Sequence, residues 1–142
     1  MLKSLSIIAM AGALVVSAGY ADQNNGKVVI AVEKTGPVNG RQMYSSYCAP
    51  CHGMDGRGKG PVAPALKQKP ADLTAIAKMN GGKFPSSHIA TVLEYGTQLP
   101  AHGTAQMPVW GPVLGRMDMQ HPDQRLLRIS NLSQYLRSIQ TK

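Results

Sequence analysis

The chain has 142 residues, which leaves room for one domain and argues against several. Lys and Arg outnumber Asp and Glu by 15 to 7, so the formal net charge is +8. Aromatic residues make up only 5% of the sequence, which is few for the core of a domain of this size. A basic surface favours an acidic protein partner, an anionic membrane surface or nucleic acid.

The first 21 residues have the pattern of a secretory signal peptide. Lys3 makes the start basic, a mostly apolar run covers residues 5–16, and small residues follow up to Ala21. The run is shorter than the roughly 20 residues that a membrane-spanning helix needs. We therefore interpret residues 1–21 as a cleaved signal peptide, with cleavage after Ala18 as the second choice. Export predicts a periplasmic protein without stable membrane insertion, and an exported chain with one Trp and one Phe is not expected to bind nucleic acid.

After the signal peptide, residues 22–38 are interpreted as a leader and residues 39–142 as the folded domain. An apolar run at 28–32 predicts an edge strand or an extended arm within the leader. Asn39 is a good N-cap, and Gln42 follows three residues later, as in a capping box. A helix is therefore predicted to begin at Asn39.

This first helix has one apolar face. Tyr44, Tyr47, Cys48 and Cys51 fall on it at helical spacing, and the tyrosines are expected to pack rather than react. Gly40 lies on the same stripe. It predicts a place where another helix crosses closely.

Cys48 and Cys51, with His52 directly after the second cysteine, form the attachment pattern of a c-type haem. Each thiol can add to one haem vinyl group to form a thioether, and the following imidazole is then held beneath the iron as an axial ligand. These are the only two cysteines in the chain. The pattern thus predicts one covalent haem c, whose flat apolar body would also fill the core that the few aromatic residues leave incomplete.

Two other uses of the cysteines compete with haem. A zinc site needs four ligands, and the other histidines, His88, His102 and His121, have no zinc-finger spacing. A thioredoxin-like pair follows a strand and precedes a helix. Here a predicted helix precedes the cysteines and a glycine-rich loop follows them, so disulfide or redox use is the main alternative to haem.

The loop after His52 is expected to fold around whatever this histidine binds. Pro61 lacks an N–H, so neighbouring backbone carbonyls are free acceptors. One of them is predicted to accept the Nδ1–H of His52 and leave Nε2 for iron. The loop is marked by four glycines: Gly53, Gly56, Gly58 and Gly60.

Two more helices are predicted in the second half of the chain. One covers about Pro85 to Tyr95, with His88 on the surface of its first turn and Gly96 at its end. A loop is predicted for residues 115–122. The terminal helix follows over about 123–139, without Gly or Pro and with five apolar or aromatic residues at helical period: Ile129, Leu132, Tyr135, Leu136 and Ile139.

Together these features resemble the class I cytochrome c family. The likeness covers about residues 39–140, and its most specific parts are the haem motif and the segment from Met107 to Gly111. It implies an all-α cytochrome c fold, with about three to five helices and long loops around one haem. The chain departs from a minimal family member in its leader and in an extra loop over residues 111–122.

The resemblance also implies specific contacts. In this family the first and last helices cross at a glycine and aromatic residues. Here that implies contact of Gly40 and Tyr44 with Leu132 and Tyr135.

The family's distal iron ligand corresponds to Met107. The residues themselves also favour this methionine, because a proline follows it and glycines stand on both sides, in a loop that can fold over a porphyrin. Met54 is too near His52 to reach the opposite haem face. His102 is the main rival.

Ligation by His52 and Met107 fills both axial positions, so the haem can pass single electrons but cannot bind a substrate. We therefore expect a periplasmic electron-transfer protein and not an enzyme, a monomer whose redox partners present an acidic face. Two alternatives stay open: a haem subunit permanently docked in a larger oxidoreductase or terminal oxidase complex, and a catalytic or gas-sensing haem whose methionine leaves the iron. Six basic residues between the haem motif and the second helix could steer an acidic partner: Arg57, Lys59, Lys67, Lys69, Lys78 and Lys83.

Overall fold

A computed structural model describes residues 34–96, 107–121 and 123–141. Within these ranges the chain forms helices, turns and loops and no strand, which confirms the predicted all-α class. None of the helices in these ranges has the length and apolar character that crossing a membrane requires. The predicted signal peptide, the apolar run at 28–32 and His102 lie outside the described residues.

The first helical stretch has three parts. Helix α1 (Gly40–Met43) continues into a π-helical segment (Tyr44–Cys48) and then into α2 (Ala49–His52). Asn39 Oδ1 accepts a hydrogen bond from the Gln42 backbone N–H at 2.9 Å, which confirms the predicted N-cap. A π-helical turn holds one more residue than an α-helical turn, so it changes the direction in which the residues after it point. In this chain those residues are Cys51 and His52.

The rest of the described chain is built from short 3-10 turns and four further helices. The turns are Ala63–Ala65 and Leu73–Ala75, and the helices are α3 (Ile76–Met79), α4 (Ser86–Tyr95), α5 (Trp110–Arg116) and α6 (Gln124–Ser138). The predictions for α4 and for the terminal helix are confirmed to within one residue at each end. Gly96 ends α4 with φ +79°, the left-handed conformation that glycine adopts without strain.

The predicted loop over residues 111–122 is wrong for its first half, because α5 extends from Trp110 to Arg116. Pro112 is the third residue of α5, in the first turn, where its missing N–H removes no helical hydrogen bond. Gly111 packs directly on α4, since an added β-carbon would collide with the carbonyl group of Glu94. Gly111 and Pro112 suggest a loop in the sequence, but both are compatible with a helix whose first turn packs against α4.

The close crossing predicted at Gly40 is confirmed. A β-carbon added there would collide with the carbonyl group of Asn131 in α6. One turn further along each helix, the rings of Tyr44 and Tyr135 lie 5.1 Å apart. Leu132 is buried between them and the rest of the core.

Helix α6 organises the core, because it packs against α1, α4 and α5. Tyr44 also donates a hydrogen bond to the Gly53 carbonyl at 2.7 Å, which fixes the end of α2 to this core. The core is formed by buried side chains from α1, the π-helical segment, α2, α4, α5 and α6: Met43, Tyr44, Tyr47, Cys48, Ala49, Leu93, Trp110, Leu114, Ile129, Leu132 and Leu136.

Candidate haem site

A cavity of about 980 Å³ lies beside this core. Its wall includes all four residues that the sequence predicts as haem-binding: Cys48, Cys51, His52 and Met107. The first three come from the π-helical segment and α2, and Met107 comes from the segment before α5. The cavity is at the upper end of the roughly 300–1,000 Å³ typical of ligand sites. The fold thus brings the predicted attachment and ligand residues to one space that suits a large ligand.

The two cysteines are free thiols rather than a disulfide. Burial raises the pKa of Cys48 to about 12 and also raises the pKa of Cys51. Both are therefore neutral at physiological pH and suit an apolar cavity wall. Among the described residues, no group of three or more Cys, His, Asp or Glu side chains is placed to hold a metal ion.

His52 is oriented by a backbone carbonyl. Its Nδ1 lies 3.0 Å from the carbonyl oxygen of Ala71. A proton on Nδ1 donates to that oxygen and leaves the Nε2 lone pair for a metal. Burial lowers the pKa of His52, and the Ala71 bond opposes this only in part, so the imidazole is neutral at physiological pH.

The acceptor differs from the prediction, which placed it next to Pro61. The carbonyl of Gly60, directly before this proline, instead accepts the Ala63 N–H at 2.9 Å and closes a turn. Ala71 is 19 residues beyond His52, and no local pattern in the sequence connects them.

The irregular segment that contains Ala71 is held in place by the loop after His52. Leu73 N–H donates to the Gly56 carbonyl at 2.7 Å. At Gly58, φ is +74° and a β-carbon would collide with the carbonyl group of Pro70. The two glycines therefore allow a close backbone approach that fixes the Ala71 carbonyl beneath His52.

Met107 lies three residues before α5 and packs partly buried against the core. Pro108 and Trp110 line the cavity with it. Trp110 is buried and stacks on Tyr47, with ring centroids 5.6 Å apart and planes at 27°. Because Tyr47 directly precedes Cys48, this stack joins the segment of Met107 to the predicted thioether residues.

Among the cavity-lining side chains that the sequence analysis did not assign to the site, two are of types that can bind haem iron. Met79, at the end of α3, and His88, in the first turn of α4, both line the cavity. Both are exposed, as predicted for His88. Methionine and histidine are residue types that bind haem iron, and this is the one sequence signal that points to these two residues.

The six basic residues singled out from the sequence are all exposed. Of these, Lys69 lines the cavity. The other five are not among the residues that line it.

The apolar cavity, the two neutral thiols and the imidazole fixed through Nδ1 fit a covalently attached haem. The family model described as "Cytochrome C oxidase, cbb3-type, subunit III" matches residues 36–121, more than half of the 142-residue chain. Comparisons with curated proteins and with solved structures gave no match. The chain therefore belongs to this family of class I monohaem cytochrome c domains, which bind a covalent c-type haem and transfer electrons through it.

Proposed function

We propose that this chain is a periplasmic carrier of single electrons, with its haem attached at Cys48 and Cys51 and its iron bound by His52 and Met107. One observation carries the proposal: the four side chains line the same cavity, although Met107 is 55 residues from His52 in the sequence. That convergence joins the local haem motif to a distant methionine.

The bound haem supplies the iron couple that gains and loses the electron. The chain's own residues hold it and select its chemistry. The neutral His52 imidazole, oriented by Ala71, would offer Nε2 to the iron, and Met107 would offer a thioether sulfur. Thioether sulfur favours ferrous iron and raises the reduction potential relative to a second histidine. An iron bound by both residues would have no position left for a substrate.

The finer parts of the proposal rest on the sequence. The signal-peptide pattern supports export to the periplasm, and the formal net charge of +8 supports partners with an acidic docking face. We propose that the mature protein works as a monomer.

The distal ligand is tested with Met107→Ala in the holoprotein. The expected result is loss of the weak near-infrared band between methionine sulfur and ferric iron, together with a lower reduction potential. Met79→Ala is the matched control, because Met79 lines the same cavity but is 72% exposed. The assignment of Met107 is wrong if Met79→Ala removes the band and Met107→Ala does not, or if Met107→Ala is spectrally silent while His102→Ala changes the spectrum.

A second candidate function is supported by the family description, which names a subunit of a cytochrome c oxidase. In this alternative the chain is a haem subunit docked permanently in a larger oxidoreductase or terminal oxidase. Fractionation of the native cells separates the two. A free carrier is recovered as a monomer in the periplasmic fraction, whereas a docked subunit co-purifies with a membrane complex.

Steering by an acidic partner is tested through the salt dependence of electron transfer. The Debye length falls from about 10 Å at 0.1 M salt to about 3 Å at 1 M, so a steered association rate falls steeply over this range. Lys69→Gln should weaken the effect more than Lys67→Gln, since Lys69 lines the cavity. An electron-transfer rate that does not change with salt concentration would exclude steering. Turnover of peroxide by the purified protein would exclude a simple carrier.

A further inference from the structure

A fully buried cation lies in α6. Arg128 is 1% exposed and is the largest fully buried side chain of the described residues. Its Nη1 donates to the carbonyl oxygen of Thr35 at 2.7 Å and lies 3.5 Å from Thr35 Oγ1. Its Nε has no hydrogen-bond partner within the described part of the chain.

No carboxylate of the described residues forms an ion pair with Arg128. The ion pairs found there join Glu94 to Arg125, and Asp118 to His121 at 3.3 Å. Within the described residues, the hydrogen-bond acceptors of Arg128 are the two neutral oxygens of Thr35. Burying a charge without a counter-charge is costly, so its retention calls for a compensating role.

Arg128 is connected to the cavity through Thr35 and Tyr47. The Thr35 N–H donates to the Tyr47 hydroxyl at 3.1 Å, and the two hydroxyl oxygens lie 2.7 Å apart. Thr35 is 5% exposed, so this network is closed to solvent. The Tyr47 ring lines the cavity next to Cys48 and stacks on Trp110.

We propose that Arg128 raises the reduction potential of the haem, because its buried positive charge is connected through Thr35 and Tyr47 to the cavity wall and has no ion-pair partner among the described residues. Ferric iron carries one more positive charge than ferrous iron, so a nearby fixed cation destabilises the oxidised state and raises the potential. The interaction is stronger and less screened than that of a surface charge, because protein rather than water lies between. The inference rests on the proposed function of the haem as a one-electron carrier. It adds Arg128 to the residues that determine the reduction potential, although Arg128 belongs neither to the haem motif nor to the iron ligands.

The test compares reduction potentials of holoprotein variants by spectroelectrochemical titration. Arg128→Gln removes the charge and keeps a donor for the Thr35 carbonyl, and it should lower the potential. Arg128→Lys keeps the charge and should retain most of the wild-type potential. Arg137→Gln is the control, because Arg137 is an exposed residue of the same helix. Its effect should be several-fold smaller and should vanish at about 1 M salt, whereas the effect of Arg128→Gln persists.

A second pair of variants leaves Arg128 in place. Thr35→Asp puts a carboxylate next to Nη1 and neutralises the charge, so it should lower the potential as Arg128→Gln does. Thr35→Asn has the same shape without the charge and should leave the potential unchanged. This pair decides the question if Arg128→Gln yields no holoprotein.

The proposal is overturned if Arg128→Gln or Thr35→Asp leaves the potential at the wild-type value. It is also overturned if Arg128→Lys lowers the potential as much as Arg128→Gln, because the residue would then act through packing alone. Failure of the proposed function is a different result: the wild-type protein itself would lack a reversible one-electron couple or the methionine band.

Discussion

Replacing Gly40 by alanine should destabilise the whole domain through a single methyl group. Gly40 lies where α1 crosses α6, and the added carbon would overlap the Asn131 carbonyl oxygen, with the carbonyl carbon at 2.8 Å and Tyr135 Cβ at 3.1 Å. The first two of these atoms belong to the backbone of a 15-residue helix. They cannot rotate away as the end of a flexible side chain can, so the two helices must separate.

The size of the effect follows from the cost of overpacking, about 1–3 kcal/mol. Because the obstacle is backbone, the destabilisation by Gly40→Ala should lie near the upper end of this range, at about 3 kcal/mol. Alanine regains up to about 1 kcal/mol in a helix interior, but Gly40 is the first residue of α1, where the gain is smaller. With about 4–8 °C per kcal/mol for a domain of roughly 100 residues, the melting temperature should fall by roughly 10–20 °C.

The assay is thermal and urea unfolding of the holoprotein, followed by far-ultraviolet circular dichroism and by haem absorbance. Gly36→Ala is the matched control, because a β-carbon there meets no atom within 4 Å. It should change stability by less than about 0.5 kcal/mol. A Gly40→Ala protein that melts within about 2 °C of wild type would show that the helices do not cross this closely.

Three further predictions concern the haem attachment, a helix cap and a partly buried ion pair. Cys48→Ala should leave one thioether and a poorly matured product, while acid–acetone extraction of the wild type leaves its colour with the polypeptide; colour in the solvent would contradict covalent attachment. Asp72→Ala removes the acceptor for Thr74 N–H at 2.8 Å and Oγ1 at 2.6 Å, and should cost about 1 kcal/mol of unfolding free energy at pH 7. These hydrogen bonds from Thr74 lower the pKa of Asp72 below its ordinary 3.8, so this stabilisation is present above that pH and is lost as the pH falls through the lower folded-state value; an equal cost in strong acid would show that the charge plays no part. Arg125→Met leaves the buried Glu94 carboxylate without its cation and should cost about 2 kcal/mol, and adding Glu94→Gln should recover part of that loss in a double-mutant cycle.

Some features of this protein are fixed by residues that are neighbours in the sequence. The proposed haem attachment depends on two thiols three residues apart and an adjacent imidazole, all within one helical turn. The cap at Asn39 and the end of α4 at Gly96 are likewise local, because each depends on one residue's hydrogen bond or backbone preference. The predictions of this cap and of this helix end are confirmed for that reason.

Other features needed a partner that is distant in the sequence. Helix α5 forms because Gly111 packs on α4, although glycine and proline by themselves suggest a loop. The carbonyl that orients His52 belongs to Ala71, which a glycine loop brings near, while the nearer Gly60 carbonyl is used in a turn.

The burial of Arg128 is the clearest example of a feature that depends on residues distant in the sequence. In the sequence it is one of 15 basic residues, and its position in the terminal helix gives no sign that it is buried. Its burial depends on Thr35, 93 residues earlier, and on the tyrosine that Thr35 contacts. Sequence determined which chemistry the chain can hold, because that chemistry is local. Tertiary structure decided which carbonyl orients His52, that Met107 lines the same cavity and that Arg128 is buried, because desolvation and hydrogen bonding depend on distances that only the packed helices set.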